Sequence, residues 1–121
     1  MIRTLAIFLA APLVFFTLSG CADASSNEVE VTEDVILLDV RTPSEFADGH
    51  LEGAQLLDFN SGELAAAIPQ LDADAQYLVY CRSGNRSGQA KSLMEDAGFT
   101  DVTNLGSLQE AAEATSLPVI N

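Results

Sequence analysis

The 121-residue sequence has few basic residues, and this shortage restricts the partners that the protein can bind. Five lysine and arginine side chains stand against 18 aspartates and glutamates, which gives a formal net charge of −13. Because binding to nucleic acid requires a basic surface, this charge argues against nucleic acid as a partner. It also argues against a domain that lies flat on an anionic membrane. We interpret the acidity as that of a well-solvated surface.

The sequence also lacks an apolar run of membrane-spanning length. Residues 5–18 form an apolar run of 14 residues that contains Pro12, whereas a transmembrane helix needs about 20 residues. Behind Arg3, this run fits the hydrophobic region of an export signal. Residues 18–21 (Leu-Ser-Gly-Cys) resemble the lipobox of bacterial lipoprotein signals, in which the cysteine is lipidated. An ordinary cleaved signal peptide and an uncleaved anchor are the alternatives.

The lipobox predicts a signal peptide over residues 1–21, a lipid on Cys21, and export. The protein would then be anchored to the cell membrane or outer membrane and face the periplasm or cell exterior. Removal of 21 residues leaves 100, which is enough for one compact domain and too few for two. The polar, acidic stretch 22–34 is predicted to be a tether, and residues 35–121 one domain that we expect to be a monomer.

Cysteine is also scarce, since Cys21 and Cys81 are the only two in the sequence. There is no Cys-x-x-Cys pair, which argues against thiol–disulfide exchange or arsenate handling. If Cys21 carries lipid, Cys81 has no second cysteine with which to pair in the compartment to which the protein is exported. An unpaired cysteine of this kind indicates a reactive thiol or an intermolecular disulfide. A disulfide between Cys21 and Cys81 is the competing interpretation.

Apolar runs and helix signals alternate along the rest of the chain. Strands are predicted over residues 35–40, 54–57, 77–80 and 101–104, and helices over 63–68, 87–97 and 108–114. A further short helix is predicted to begin with Thr42 as N-cap, Pro43 as first residue and Glu45 as capping-box partner, and to end near Gly49. This alternation predicts a small open α/β fold with a mostly parallel sheet flanked by helices.

Two further features of the helices follow from residue spacing. In the helix over 87–97, the residues Ala90, Leu93, Met94 and Ala97 recur at the spacing of one apolar face. Gly98 is a natural residue for the end of that helix.

The segment 81–87 (Cys-Arg-Ser-Gly-Asn-Arg-Ser) joins the third predicted strand to a helix. Ligands of open α/β sheets bind beyond the carboxyl ends of the strands, where Cys81 is placed. The helix N-terminus, the loop N–H groups and the charges of Arg82 and Arg86 should all lower the pKa of the thiol. Cysteine phosphatases use Cys-x5-Arg, but Ser87 stands where that arginine would be. The loop therefore suits the outer sulfur of a persulfide better than a phosphate.

Three ordered motifs resemble those of the rhodanese family: Asp-Val-Arg-Thr-Pro-Ser-Glu-Phe at 39–46, Gly-His-Leu-Glu-Gly-Ala at 49–54, and the loop at 79–87. The resemblance covers about residues 35–108 and is closest to the small exported rhodaneses of the phage-shock type. Two differences affect the expected shape of the domain. Ser107 replaces the second glycine of the family's Asn-Leu-x-Gly-Gly-x-x-x-Trp string, and the chain contains no tryptophan. The first strand and helix of the family are also shortened, so we expect a trimmed sheet edge.

The resemblance implies a sulfurtransferase that uses no metal and no organic cofactor. The Cys81 thiolate would take a sulfane sulfur from thiosulfate or a persulfide and pass it to a thiol or to cyanide. The loop residues are expected to bind these small sulfur anions: Arg82, Ser83, Gly84, Asn85, Arg86 and Ser87. For Arg86, pairing with a carboxylate that holds the loop is an equal alternative. Ser83 and Ser87 are expected to act first as loop donor and helix cap.

Four residues outside the loop are predicted to support the structure. Asp39 ends a strand and can bond to loop backbone, Arg41 can pair with Glu45, and His50 can make a structural hydrogen bond. A thiolate nucleophile needs no general base, which is why we do not assign that role to His50. The alternative is a function of another class. The domain would then be a sulfur carrier or protein-interaction module of the cell envelope that does not catalyse repeated sulfur transfer.

Overall fold

The computed structural model describes residues 28–121, and these residues form the predicted α/β fold. The central sheet is parallel and has the strand order β3-β1-β4-β5. Its strands are β1 (Val35–Asp39), β3 (Gln55–Leu56), β4 (Gln76–Cys81) and β5 (Val102–Ser107). A second, antiparallel pair joins β2 (His50–Leu51) to β6 (Val119–Ile120), and neither of these strands was predicted from the sequence.

Helices cover both faces of the sheet. They are α1 (Pro43–Asp48), α2 (Glu63–Ala67) followed by a 3₁₀ turn (Ile68–Gln70), α3 (Asn85–Asp96) and α4 (Leu108–Thr115). Alternate residues of the central strand β4 face opposite sides, as the pleat requires. Tyr77, Val79 and Cys81 join the apolar core that contains Met94 of α3, while Leu78 and Tyr80 join the core on the other face. Burial on both faces explains why β1 and β4 are continuous apolar runs.

The helix α1 begins as predicted, with a complete capping box. The Thr42 hydroxyl accepts a hydrogen bond from the Glu45 N–H at 3.3 Å, and the Glu45 carboxylate accepts from the Thr42 N–H at 3.2 Å. Pro43 occupies the first helical position, where no N–H donor is needed. The helix is only six residues long and ends at Asp48, with Gly49 as its C-cap. It therefore holds Glu45 close to the end of β1.

Two elements extend by two or more residues at one end beyond the limits predicted from the sequence. The strand β5 runs on to Ser107 and contains a bulge, since Tyr80 of β4 pairs with Gly106 and Leu105 has no partner in the ladder. The helix α3 begins at Asn85, two residues early, because Gly84 adopts φ of 92° and turns the chain directly into the helix. Glycine reaches this left-handed region without steric cost. Both changes bring backbone closer to Cys81.

The predicted apolar face of α3 is only half correct. Ala90 and Met94 are fully buried, whereas Leu93 is 36% exposed and Ala97 is exposed. The helix packs on β4 and β5 along a narrow strip, so that only the residues at one angular position meet the sheet. Leu93 lies next to that strip, so its apolar side chain did not correctly predict burial.

The end of the predicted tether contacts the domain. The N–H of Val29 donates to the carbonyl of Ala114 at 2.8 Å, and Val29 and Val31 pack against the apolar core beside α4. The predicted boundary between residues 34 and 35 thus falls inside a stretch that lies on the domain. The predicted signal peptide, with Cys21, lies outside the described residues. Within residues 28–121, no helix is both long and apolar enough to cross a membrane.

Candidate active site

Cys81 is the last residue of β4, and the following loop folds back over its sulfur. The Sγ atom accepts a hydrogen bond from the N–H of Gly84 at 3.0 Å and lies 3.3 Å from the Ser87 hydroxyl. The side chain has an exposed fraction of 0%. The sequence predicted that this thiol lies at the carboxyl end of a strand, and the structure confirms it. The structure also shows that the loop encloses the thiol.

The loop favours the ionised form of the thiol. Burial raises the pKa of Cys81, but hydrogen bonds from the Ser87 hydroxyl and from the N–H groups of Ser87, Ser83 and Gly84 outweigh it. The net result is a pKa below the ordinary value for cysteine. Donors directed at a negative charge stabilise it more than they stabilise the neutral thiol. The site therefore holds a buried sulfur that is prepared to act as a nucleophile.

Ser87 was predicted to cap the helix α3, but it does not. The N-cap is Gly84, which makes no side-chain hydrogen bond, and Ser87 is the third residue of the helix. Its buried hydroxyl instead lies between the Cys81 sulfur and the amide oxygen of Asn104, at 3.3 Å and 2.7 Å. The prediction was wrong because the glycine turn starts the helix two residues earlier.

Asn104 is a site residue that was not predicted. Its Oδ1 lies 2.7 Å from the Ser87 hydroxyl, whose one hydrogen is shared between Oδ1 and the Cys81 sulfur. The same Oδ1 accepts from the N–H of Gly106 at 2.9 Å, and Nδ2 donates to the carbonyl of Gly84 at 3.1 Å. Asn104 thus connects β5 to the loop that holds the sulfur. The sequence did contain a signal, because Asn104 begins the stretch Asn-Leu-Gly-Ser that was compared with the family's string, but the stretch was used only to place a strand and to note the difference at Ser107.

The loop leaves no room for side chains where it meets β5. A Cβ atom on Gly84 would lie 3.3 Å from the Cα of Gly106, and one on Gly106 would lie 2.9 Å from the Glu110 carboxylate. Both glycines have positive φ, 92° and 89°. A side chain at either position would therefore be strained, and at Gly84 it would also press on the backbone of β5.

Arg86 pairs with a carboxylate, the alternative that the sequence left open. Its two terminal nitrogens donate to the two oxygens of Glu45 at 2.7 and 2.9 Å, a bidentate ion pair between α3 and α1. The hydrogen bond from Arg86 is the main cause that lowers the pKa of Glu45 to about 2, against the opposing effect of burial. The same bond raises the pKa of Arg86.

Arg41 does not pair with Glu45, so that prediction was wrong. Its guanidinium donates to the buried Asp39 carboxylate at 2.6, 2.9 and 3.1 Å and to the carbonyl of Gly49 at 2.6 Å. Asp39 also accepts from the Arg41 N–H, which is the predicted bond to loop backbone. Burial lowers the pKa of Arg41, but Asp39 more than offsets it and the pKa is raised. Glu45 is already occupied by Thr42 and Arg86.

His50 makes contacts within its own segment of the chain. Its Nδ1 lies 2.9 Å from the carbonyl of Phe46, and its ring stacks on the Phe46 ring with centroids 3.6 Å apart. These contacts join β2 to α1. They agree with the structural hydrogen bond predicted for this residue rather than with a general base.

The remaining loop residues, Arg82, Ser83 and Asn85, are exposed. The Ser83 hydroxyl accepts a weak hydrogen bond from the N–H of Asn85 at 3.4 Å. Arg82 lies on the wall of a cavity of about 620 Å³ beside the carboxyl ends of the strands. Arg41, Glu45 and Asp48 lie on the same wall. This cavity is where a small molecule would approach the loop.

Comparison with known proteins shows the family to which the chain belongs. The Rhodanese-like domain family matches residues 23–114, more than half of the chain. The chain belongs to the rhodanese family. It is similar to a sulfurtransferase of Allochromatium vinosum, with 32% identity over 99 residues that cover 82% of this chain and 91% of the relative. It is also similar to the thiosulfate sulfurtransferase PspE of Escherichia coli, with 35% identity over 77 residues, 62% of this chain and 72% of the relative.

A solved structure described as a rhodanese with anions from Escherichia coli has the same fold. The TM-score is 0.59 at 30% identity, over 72% of this chain and 98% of the other. The predicted fold class is thus confirmed, and the rhodanese relatives support sulfur transfer as the general activity.

Proposed function

We propose that this rhodanese moves a sulfane sulfur from thiosulfate or a persulfide donor to a thiol or cyanide, through a persulfide on Cys81. The observation that carries the proposal is the cradle around Sγ, in which Gly84 N–H donates at 3.0 Å and the Ser87 hydroxyl lies at 3.3 Å. Such fixed donors stabilise a sulfur anion as oxyanion-hole donors stabilise oxygen.

In the first half-reaction, the Cys81 thiolate attacks the outer sulfur of thiosulfate. A bond forms between Sγ and that sulfur, the S–S bond of thiosulfate breaks, and sulfite leaves with the electron pair. The product is a persulfide anion on Cys81, and charge is conserved without a proton transfer. Since Cys81 is fully buried, the loop must open to admit the donor.

In the second half-reaction, the outer sulfur passes to an acceptor. Cyanide attacks this sulfur, the bond to Sγ breaks with its electron pair on Sγ, and thiocyanate leaves. The Cys81 thiolate is restored, and the cradle that held the thiolate before the reaction holds it again. The lowered pKa of Cys81 makes it a good leaving group in this step.

Mass spectrometry of the intact purified protein after treatment with thiosulfate tests this proposal, with Cys81→Ser as the matched variant. We expect wild type alone to gain the mass of one sulfur atom. Cyanide should then remove that sulfur and yield thiocyanate. If wild type gains no sulfur while its thiol is intact, thiosulfate is not the donor, and the non-turnover carrier or interaction module is favoured.

We also propose that the protein is exported and that a lipid on Cys21 anchors the domain to the cell membrane or outer membrane. The proposal rests on the apolar run at residues 5–18 and the Leu-Ser-Gly-Cys motif at 18–21. Two or more acyl chains anchor a protein stably, since each buried methylene contributes about 0.8 kcal/mol. Small sulfur compounds outside the cytoplasm would then be the substrates.

A further inference from the structure

The residues that line the cavity beside the active-site loop restrict the class of molecule that can bind there. It has a volume of about 620 Å³ and lies where β4 and β5 end. Arg82, on its wall, directly follows Cys81, and Ser107, also on the wall, pairs with Cys81 in the β4–β5 register. A molecule in this cavity therefore lies next to the loop that holds the sulfur.

Most of the charges near the cavity cancel one another. Arg41 is neutralised by Asp39 at 2.6 Å, and Glu45 is neutralised by Arg86 at 2.7 Å. These are the two ion pairs found among residues 28–121, and neither includes Arg82 or Asp48. The cavity wall thus offers a substrate one uncompensated positive charge and one uncompensated negative charge.

Of the five other residues on the wall, Ser107 and Gln109 are polar and three are apolar. Leu108 and Ala112 of α4 line one part, and Val119 of β6, which is 49% exposed, lines another. Val119 is held there by the pairing of β6 with β2 and would lie 3.2 Å from a Cβ on Gly49. A short aliphatic chain could bury surface against these three side chains.

We propose that the preferred acceptor is a small aliphatic thiol that carries both an ammonium and a carboxylate group, as an amino acid does. Arg82 binds the carboxylate, Asp48 binds the ammonium group, and the aliphatic part lies on Leu108, Ala112 and Val119. This inference rests on the proposed sulfur transfer and specifies its acceptor. Mono-charged thiols of similar size would satisfy only one of the two free charges and bind less well.

The transfer to such an acceptor is balanced without any further reactant. The acceptor sulfur attacks the outer sulfur of the Cys81 persulfide, a new S–S bond forms, and the bond to Sγ breaks with its electron pair on Sγ. The thiol proton of the acceptor ends on the product, which is a hydropersulfide. The Cys81 thiolate is regenerated.

Four acceptor thiols of similar size distinguish the contributions of the two charges: cysteine, cysteamine, 3-mercaptopropionate and 2-mercaptoethanol. The protein is first loaded with sulfur from thiosulfate, and the second-order rate of sulfur release to each thiol is then measured in single turnover. Each rate is divided by that for 2-mercaptoethanol in the same variant, which removes differences in loading. Comparison of one acceptor across variants removes differences in thiol pKa.

We expect Asp48→Asn to lower the relative rates for cysteine and cysteamine by about three- to fivefold, the effect of losing a solvent-exposed ion pair. Arg82→Gln should lower the relative rates for cysteine and 3-mercaptopropionate by a similar factor. Asp96→Asn and Lys91→Gln remove the same charges at the far part of α3 and should leave all relative rates unchanged.

Unchanged ratios in both Asp48→Asn and Arg82→Gln, with wild type transferring sulfur, would overturn this inference and leave the proposed function intact. Equal losses for all three charged thiols in either variant would also overturn it. Failure of wild type to accept sulfur would instead remove the proposed function, and the inference with it.

Discussion

At the scale of single residues, the active site depends on a few donors that converge on one buried sulfur. Ser87 is central, because its hydroxyl lies between Cys81 and Asn104, and Asn104 in turn holds the carbonyl of Gly84. The sequence identified Cys81 and the loop residues because they are contiguous. It did not identify Asn104, which is 17 positions from Ser87 and reaches it only through the β4–β5 pairing.

Replacement of Ser87 by alanine should raise the pKa of the Cys81 thiol. The Ser87 hydroxyl is one of the hydrogen-bond donors that lower this pKa, so that its loss favours the neutral thiol. The rate of alkylation by iodoacetamide as a function of pH measures the change, and its midpoint should move to higher pH. At a fixed pH below the midpoint, alkylation should be slower than in wild type.

The control for this variant is Ser92→Ala, which removes a hydroxyl on the exposed side of α3 that bonds to the carbonyl of Gly88. Its midpoint should match that of wild type. An unchanged midpoint in Ser87→Ala would mean that the backbone N–H groups alone set the thiol pKa.

At the scale of elements, local signals in the sequence explain where most helices and strands begin and end. The helix α1 starts at its capping box and α3 is followed by Gly98 with φ of 98°. Such signals act within a few residues, and for this reason they can be recognised without a tertiary structure. The two-residue strands β2 and β6 have no comparable signal, since they form only where the end of the chain returns to His50 and Leu51.

Within α3, two adjacent apolar residues should respond differently to truncation. Met94→Ala should lower the free energy of unfolding by about 2–5 kcal/mol, because Met94 is fully buried between the helix and the sheet and its loss leaves a cavity. Leu93→Ala should change it by only about 0.5 kcal/mol, since Leu93 is partly exposed. Urea denaturation measures both, and Leu93 serves as the matched control because leucine and alanine both favour helix. Equal losses in the two variants would contradict the observed orientation of the helix.

At the scale of the whole molecule, the parallel sheet brings three distant motifs to one edge. The Asp-Val-Arg segment ends β1, Cys81 ends β4, and Ser107 ends β5, and these strands are neighbours in the sheet. All the carboxyl ends of parallel strands meet at that edge, which explains why the site is there. The excess of acidic residues contributes to solubility rather than to this site, where the charges are nearly balanced.

Replacement of Cys21 by serine should release the protein from the membrane fraction of a bacterial host. Lipidation requires the cysteine sulfur, so that the variant would lose the proposed acyl anchor. Fractionation of cells followed by immunoblotting measures this distribution, with Cys81→Ser as the variant that retains the lipobox. A Cys21→Ser protein that stays in the membrane fraction would instead support an uncleaved anchor at residues 5–18.

The sequence by itself determined the α/β class, the position of the reactive thiol and the loop that surrounds it. These features follow from apolar periodicity, capping residues and glycines that act over a few positions. Only the tertiary structure decided the pairing of charges, in which Glu45 bonds to Arg86, 41 positions away, while Arg41 turns back to Asp39. Several carboxylates were available to each arginine, and the choice depends on which strand ends and helices are neighbours. That long-range arrangement, and with it the two charges left free in the cavity, cannot be inferred from local spacing.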